Sequence, residues 1–171
     1  EFANYSSKGY PNGIGYLDRP NVIVARSFSK VYGLAGLRIG YGISNPKIIN
    51  YMERVREPFN TNLLAQAAAV AALDDRIFLK KTLKHVEKEK EFLYSGFKRM
   101  RLEYVPSATN FVLVNVKEDS KKVFNALLKK GVIVRDMKMW GLDSFIRVTI
   151  GTREENQRFV EALKTVLSCK W

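Results

Sequence analysis

The segment Ser27-Phe28-Ser29-Lys30-Val31-Tyr32-Gly33-Leu34-Ala35-Gly36-Leu37-Arg38 lies between two apolar runs. Val22-Ile23-Val24-Ala25, bounded by Pro20-Asn21, predicts a buried strand before it, and Ile39-Gly40-Tyr41-Gly42-Ile43 predicts a second one after it. A lysine between two such strands is costly to bury unless its amine has a task. Lysine is the cation whose protonation yields most readily to burial, which suits it to nucleophilic and Schiff-base chemistry. Two hydroxyls, Ser27 and Ser29, and one guanidinium, Arg38, surround it in sequence. Short O–H donors and a bidentate fork are the groups that a dianionic phosphate needs. An amine beside such a cradle points to a pyridoxal phosphate site. In a parallel α/β sheet ligands gather at the carboxyl ends of strands, where Lys30 is expected to lie.

The same residues, continued through Ile39-Gly40-Tyr41, resemble the lysine segment of the fold-type I aminotransferases, particularly the histidinol-phosphate aminotransferases. The resemblance extends through Pro58-Phe59-Asn60-Thr61-Asn62 and through the run from Phe145-Ile146-Arg147 to Glu154-Glu155-Asn156. It implies an α/β fold: the end of a large, mainly parallel-sheet domain over residues 1–62, then a connector helix and a small α+β domain over residues 63–171. It implies that Lys30 carries pyridoxal 5'-phosphate and later shuttles protons. It also implies that Ser27, Ser29 and Arg38 hold the cofactor phosphate. Arg147 matches the arginine that binds the anionic end of the substrate, and Arg135 matches one lining the same pocket. The implied reactants are a small amino donor, histidinol phosphate, and a 2-oxo acid, 2-oxoglutarate. Decarboxylation of a phosphorylated amino acid and transamination of aromatic amino acids occur in relatives with similar lysine segments. The Gly-Thr-Arg-Glu-Glu-Asn run at 151–156 leans towards histidinol phosphate. The family's active sites form at a dimer interface, which implies a homodimer for the whole protein.

The sequence opens on Glu1-Phe2 with no cap or apolar pattern behind it, as expected inside a longer protein. Family members carry an Asp-Glu-Ala-Tyr-like strand just before this position. Its aspartate pairs with the pyridinium nitrogen, and a nearby tyrosine touches the ring oxygen. Neither is present in the 171 residues, so the piece alone is expected to be inactive.

Rival chemistries fit less well. Ser27 and Lys30 satisfy the Ser-x-x-Lys pattern of penicillin-binding proteins, which also requires a Ser-Asp-Asn element and a Lys-Thr-Gly strand. Lys81-Thr82 is followed by Leu83 and Lys164-Thr165 by Val166, both in helical patterns, and no Ser-Asp-Asn occurs. A nucleotide-binding phosphate loop would end in Gly-Lys-Ser/Thr, and no glycine here begins that triplet.

With 171 residues, 46% of them hydrophobic, the chain can bury a sizeable core in one domain or two small ones. No apolar run approaches the roughly 18 residues of a membrane span, and no signal-peptide pattern opens the sequence. The single cysteine, Cys169, cannot form an internal disulfide, which suits a reducing cytoplasm. One Cys and one His exclude a zinc cluster. Lys and Arg outnumber Asp and Glu by 29 to 17, a net charge of +12. Such an excess can mark a nucleic-acid binder. The cations are instead spread over helical faces (Lys80-Lys81, Lys88, Lys90, Lys121-Lys122, Lys129-Lys130) without a recognition motif. They read as solvated faces that attract anionic small molecules.

In chain order, residues 1–20 are Gly/Pro-rich and receive no chemistry. Asn45-Pro46 predicts a helix start, with Ile48, Ile49, Met52 and Val55 packing on the sheet and Pro58 as the stop. Asn62 to Leu73, rich in Ala and Leu, predicts the connector helix. Asp74 or Asp75 is expected to cap a long helix from about Arg76 to Arg101, on which His85 is a surface residue. Strands are predicted at 110–116, 132–135 and 145–150, with helices from Ser120 to Lys130 and after a Thr152–Glu155 capping box. On strand alternation Arg147 faces away from Ile146 and Val148. Asn110, at a strand start, is a further pocket candidate.

Overall fold

The computed structural model describes residues 2, 5 and 9–168. Glu1 and Cys169, on which two of the expectations above fall, lie outside them. The chain divides into two compact units, Glu1–Leu83 and Lys84–Trp171. The expected domain boundary, between residues 62 and 63, coincides with a helix cap, whereas the division into units falls within the long helix.

In the first unit, β1 (Val24–Ser27) pairs with β2 (Gly40–Ile43) in an antiparallel ladder, Ser27 opposite Gly40 and Val24 opposite Ile43. The two runs expected to be buried strands are therefore partners of each other, and none of their ladder residues is buried. Ladder hydrogen bonds align the backbones, but only layers stacked on a sheet remove its side chains from water. Two strands with one neighbour each do not supply that cover. Among the described residues the buried apolar ones of this unit are Phe2, Phe28, Val31, Ala65 and Ala69.

Helix α1 (Pro46–Val55) begins as predicted, with Asn45 Oδ1 accepting the Ile48 N–H over 3.0 Å and proline in the first turn. Its apolar stripe does not pack as expected: none of its residues is buried, and Val55 is 83% exposed. The missing sheet cover is the same physical reason. Helix α2 (Leu63–Asp74) is capped by Asn62, and Asp75 caps α3 (Arg76–Arg99) by accepting the Phe78 N–H over 2.8 Å.

The second unit is an antiparallel sheet in the order β3-β4-β6-β5, with β3 (Tyr104–Val105), β4 (Phe111–Asn115), β5 (Arg135–Asp136) and β6 (Phe145–Thr149). The central pair aligns Val112 with Val148 and Val114 with Ile146. These four side chains are buried together with Val123 and Leu127 of α4 (Ser120–Lys129) and Phe159 and Leu163 of α5 (Arg153–Ser168). Alternation then leaves Phe111, Leu113, Phe145 and Arg147 on the opposite, half-exposed face.

The strand expected at residues 132–135 shortens to β5. Val132 and Val134 are buried and Ile133 is 80% exposed, a strand-like alternation, but ladder pairing with β6 starts only at Arg135. The two-residue β3 carried no periodic signal. The capping box forms as predicted: Thr152 N–H donates to Glu155 Oε2 over 2.7 Å, and Glu155 N–H to Thr152 Oγ1 over 3.3 Å. His85 is exposed and hydrogen-bonds the Gly151 carbonyl at 3.0 Å. Among the described residues no helix is long and apolar enough to cross a membrane.

Candidate functional site

The candidate residues fall in two places, one in each unit. In the first, β1 ends at Ser27 and hands the chain to a tight connection. Gly40 lets β2 close on this end, because a Cβ there would stand 2.6 Å from the Arg26 carbonyl oxygen. Ser27 Oγ accepts the Ser29 N–H over 2.9 Å, which bends the chain out of the strand. Phe28 continues the pairing through its N–H to Ile39 O at 3.2 Å, and its carbonyl accepts Leu34 N–H at 3.0 Å. Gly33, at φ +72°, donates to the Lys30 carbonyl over 3.0 Å and closes a turn. Phe28 and Val31 are buried and anchor this turn, while Ser27 and Ser29 are half-buried and Lys30 is exposed.

Within these 171 residues Lys30 is exposed, whereas the expectation of an amine held out of water concerns the whole protein. The turn is pinned by its apolar neighbours Phe28 and Val31. Arg38 closes the same connection in the left-handed region, φ +53°, and is exposed. Its Nη1 donates to the Ala35 carbonyl over 2.7 Å and, among the described residues, to neither serine. The structure thus links Ser27 to Ser29 directly and leaves Arg38 turned onto its own backbone. One amine, two hydroxyls and one guanidinium on a single strand–turn–strand form a donor set that fits an aldehyde-bearing phosphate ester such as pyridoxal phosphate.

Four neighbours carry no role predicted from the sequence: Tyr5, Asn12, Arg26 and Tyr32. The Tyr32 hydroxyl meets that of Tyr5 at 2.9 Å, and the Tyr32 ring lies 5.0 Å from Phe28. Arg26 Nη2 donates to Asn12 Oδ1 over 2.7 Å. Tyr5, Arg26, Ser27, Tyr32 and Tyr41 line one small cavity at the end of β1. Tyr32 was visible inside the lysine segment. Tyr5 and Asn12 come from the stretch that received no chemistry, and only folding brings them here.

In the second unit Arg135 of β5 and Arg147 of β6 are direct cross-strand partners. Arg147 is half-buried between the buried Ile146 and Val148 and emerges on the opposite face, as alternation predicts. Arg135 is exposed, and its Cζ lies 5.2 Å from the centre of the Trp140 ring. Arg147 Cζ lies 4.9 Å from the centre of the Phe111 ring. Two arginines at directly paired strand positions on an open face can offer charge-assisted hydrogen bonds to a carboxylate or phosphate. Asn110 gives its backbone carbonyl to Ile150 N–H over 2.9 Å at the start of β4, a structural task.

Residues 5–163 match the aminotransferase class I and II family. The chain is 51% identical over 165 residues to the histidinol-phosphate aminotransferase of Moorella thermoacetica, covering 95% of this chain and 43% of that protein. Among solved structures, the histidinol-phosphate aminotransferase of Sinorhizobium meliloti in complex with pyridoxal-5'-phosphate superposes with a TM-score of 0.83. It is 33% identical, over 89% of this chain and 42% of that one. The histidinol-phosphate aminotransferase of Clostridium acetobutylicum gives a TM-score of 0.87 at 26% identity, over 98% of this chain and 51% of that one. The chain spans less than half the length of the Moorella relative.

Proposed function

The chain belongs to the aminotransferase class I and II family, and from that membership we propose that the whole protein is a pyridoxal phosphate-dependent aminotransferase acting on histidinol phosphate and 2-oxoglutarate. The observation that carries this reading is the grouping of Lys30, Ser27, Ser29 and Arg38 on one strand–turn–strand, in a chain about half identical to a histidinol-phosphate aminotransferase. When bound, pyridoxal phosphate supplies an electron-withdrawing ring that makes amino-group transfer feasible.

The chain's own residues would bind the cofactor and the substrate and would handle the proton. Lys30 Nζ would be the attachment point for the cofactor and would move a proton at the substrate carbon. Ser27 Oγ, Ser29 Oγ and the Arg38 guanidinium would hold the cofactor phosphate through charge-assisted hydrogen bonds. Arg135 and Arg147 receive the anionic end of the amino donor or of the 2-oxo acid. On the family resemblance, the whole protein works as a homodimer.

The test uses the whole protein. Incubated with pyridoxal phosphate and reduced with borohydride, it carries the cofactor on the peptide containing residue 30. Supplied with histidinol phosphate and 2-oxoglutarate, it forms glutamate. Lys30→Ala abolishes both. Glutamate formation by that variant, or fixation elsewhere, overturns the assignment; release of CO2 from a phosphorylated amino acid without glutamate moves the reading to a decarboxylase.

A further inference from the structure

Like charges placed directly opposite on paired strands repel, and Arg135 and Arg147 occupy such positions. Among the described residues neither guanidinium meets a carboxylate or spends an N–H on a hydrogen bond. Each lies over an aromatic ring instead, Arg135 on Trp140 and Arg147 on Phe111. A ring face attracts a cation through its quadrupole without occupying a donor. A carboxylate in the same place would cancel the charge and take up two of the five N–H groups.

The two rings reach their arginines by separate routes. Phe111 stands opposite Thr149, so it is the diagonal neighbour of Arg147 across β4 and β6. Trp140 sits on the short turn Lys138–Trp140. That turn is tied down at three points: Trp140 N–H to Met137 O at 3.0 Å, Lys138 N–H to Asp136 Oδ1 at 3.0 Å, and Lys138 Nζ to Asp119 Oδ2 at 2.9 Å.

We propose that Phe111 and Trp140 are positioning residues that hold the two guanidinium groups on the open sheet face with their N–H donors unspent, ready for the phosphate or carboxylate of a substrate. The inference rests on the reading of this pair as the substrate-anion site. The rings orient the forks and offset the repulsion between them, so that an anion finds its donors already aimed.

The test titrates inorganic phosphate into the 171-residue chain and follows the Nε–Hε resonances of Arg135 and Arg147 by NMR. Trp140→Leu and Phe111→Leu, which keep an apolar side chain and remove the ring, each weaken phosphate binding roughly three- to tenfold. Trp140→Phe restores most of it. In the whole enzyme the same Leu variants raise KM for the phosphorylated amino donor and leave kcat near its original value. If Arg135→Ala and Arg147→Ala leave phosphate binding unchanged, the anion-site reading fails. If they weaken it while the Leu variants do not, the positioning role is overturned and the reading survives. Trp140 is half-exposed, so Trp140→Leu decides the matter should Phe111→Leu not fold.

Discussion

Asn156 donates its side-chain amide to the buried carboxylate of Glu89 over 3.0 Å, joining residues 67 positions apart. The same amide nitrogen donates to the Gly151 carbonyl at 3.0 Å, and its oxygen accepts the Gly151 N–H at 3.0 Å. Arg153 Nη2 pairs with the second Glu89 oxygen at 2.9 Å. This polar knot ties the turn after β6 to helix α3. Both Glu89 and Asn156 are only 2% exposed, so neither can turn to water if its partner is lost.

Asn156→Ala therefore strips one partner from a buried carboxylate and two from the Gly151 backbone. Unmade buried hydrogen bonds of this kind cost about 2–3 kcal/mol. The urea midpoint of the second unit should fall accordingly, with an unchanged m-value. A midpoint equal to that of the original chain would show that the knot contributes nothing.

Gly40→Ala introduces a Cβ 2.6 Å from the Arg26 carbonyl oxygen, which is backbone and cannot swing aside. The strands must separate, at a cost of about 1–3 kcal/mol. Amide hydrogen exchange should accelerate across β1 and β2 and stay unchanged in the second unit. Unaltered protection at Phe28, whose N–H bonds the Ile39 carbonyl, and at Tyr41 would contradict the close approach.

Arg147→Ala removes one of the two forks from the sheet face. Loss of a charge-assisted hydrogen-bonded contact corresponds to about 1.5–3 kcal/mol, expressed mainly as a higher KM for the anionic substrate of the whole enzyme. Arg147→Lys should recover only part of the loss, since a point charge does not reproduce a planar fork. An unchanged KM would take Arg147 out of the site.

The bridge from Lys138 to Asp119 sets a pH response. The hydrogen bond from Lys138, helped by the Lys122 N–H, holds the Asp119 carboxyl below its ordinary range, and the same bond raises Lys138. A depressed carboxyl stabilises the fold above its ordinary range and loses that contribution as pH falls through the lowered value. The raised amine contributes fully below the ordinary lysine range and loses its share as pH rises through the raised value. The bridge is thus constant between about pH 5 and 10. Lys138→Met should move the Asp119 carboxyl midpoint upward in a carbon-detected NMR titration. A midpoint that does not move would assign the depression to the backbone N–H groups of Lys122 and Lys121.

The sequence by itself determined the local chemistry. Asn45, Asn62 and the Thr152–Glu155 box each cap a helix through atoms three residues apart, so no distant partner is needed to specify them. Strand alternation placed Arg147 opposite Ile146 and Val148 for the same reason, since the period of two is a property of the strand alone. Lys30 with its serines was legible as a motif that resembles a family, and family membership followed from the whole run of residues. Only the tertiary structure decided burial and partnership. The exposed Lys30, the uncovered face of α1, the meeting of Arg135 with Arg147 and the reach of Glu89 to Asn156 all depend on neighbours far along the chain. Register and layer packing choose those neighbours through the free energy of the whole fold, and no short window of sequence contains that information.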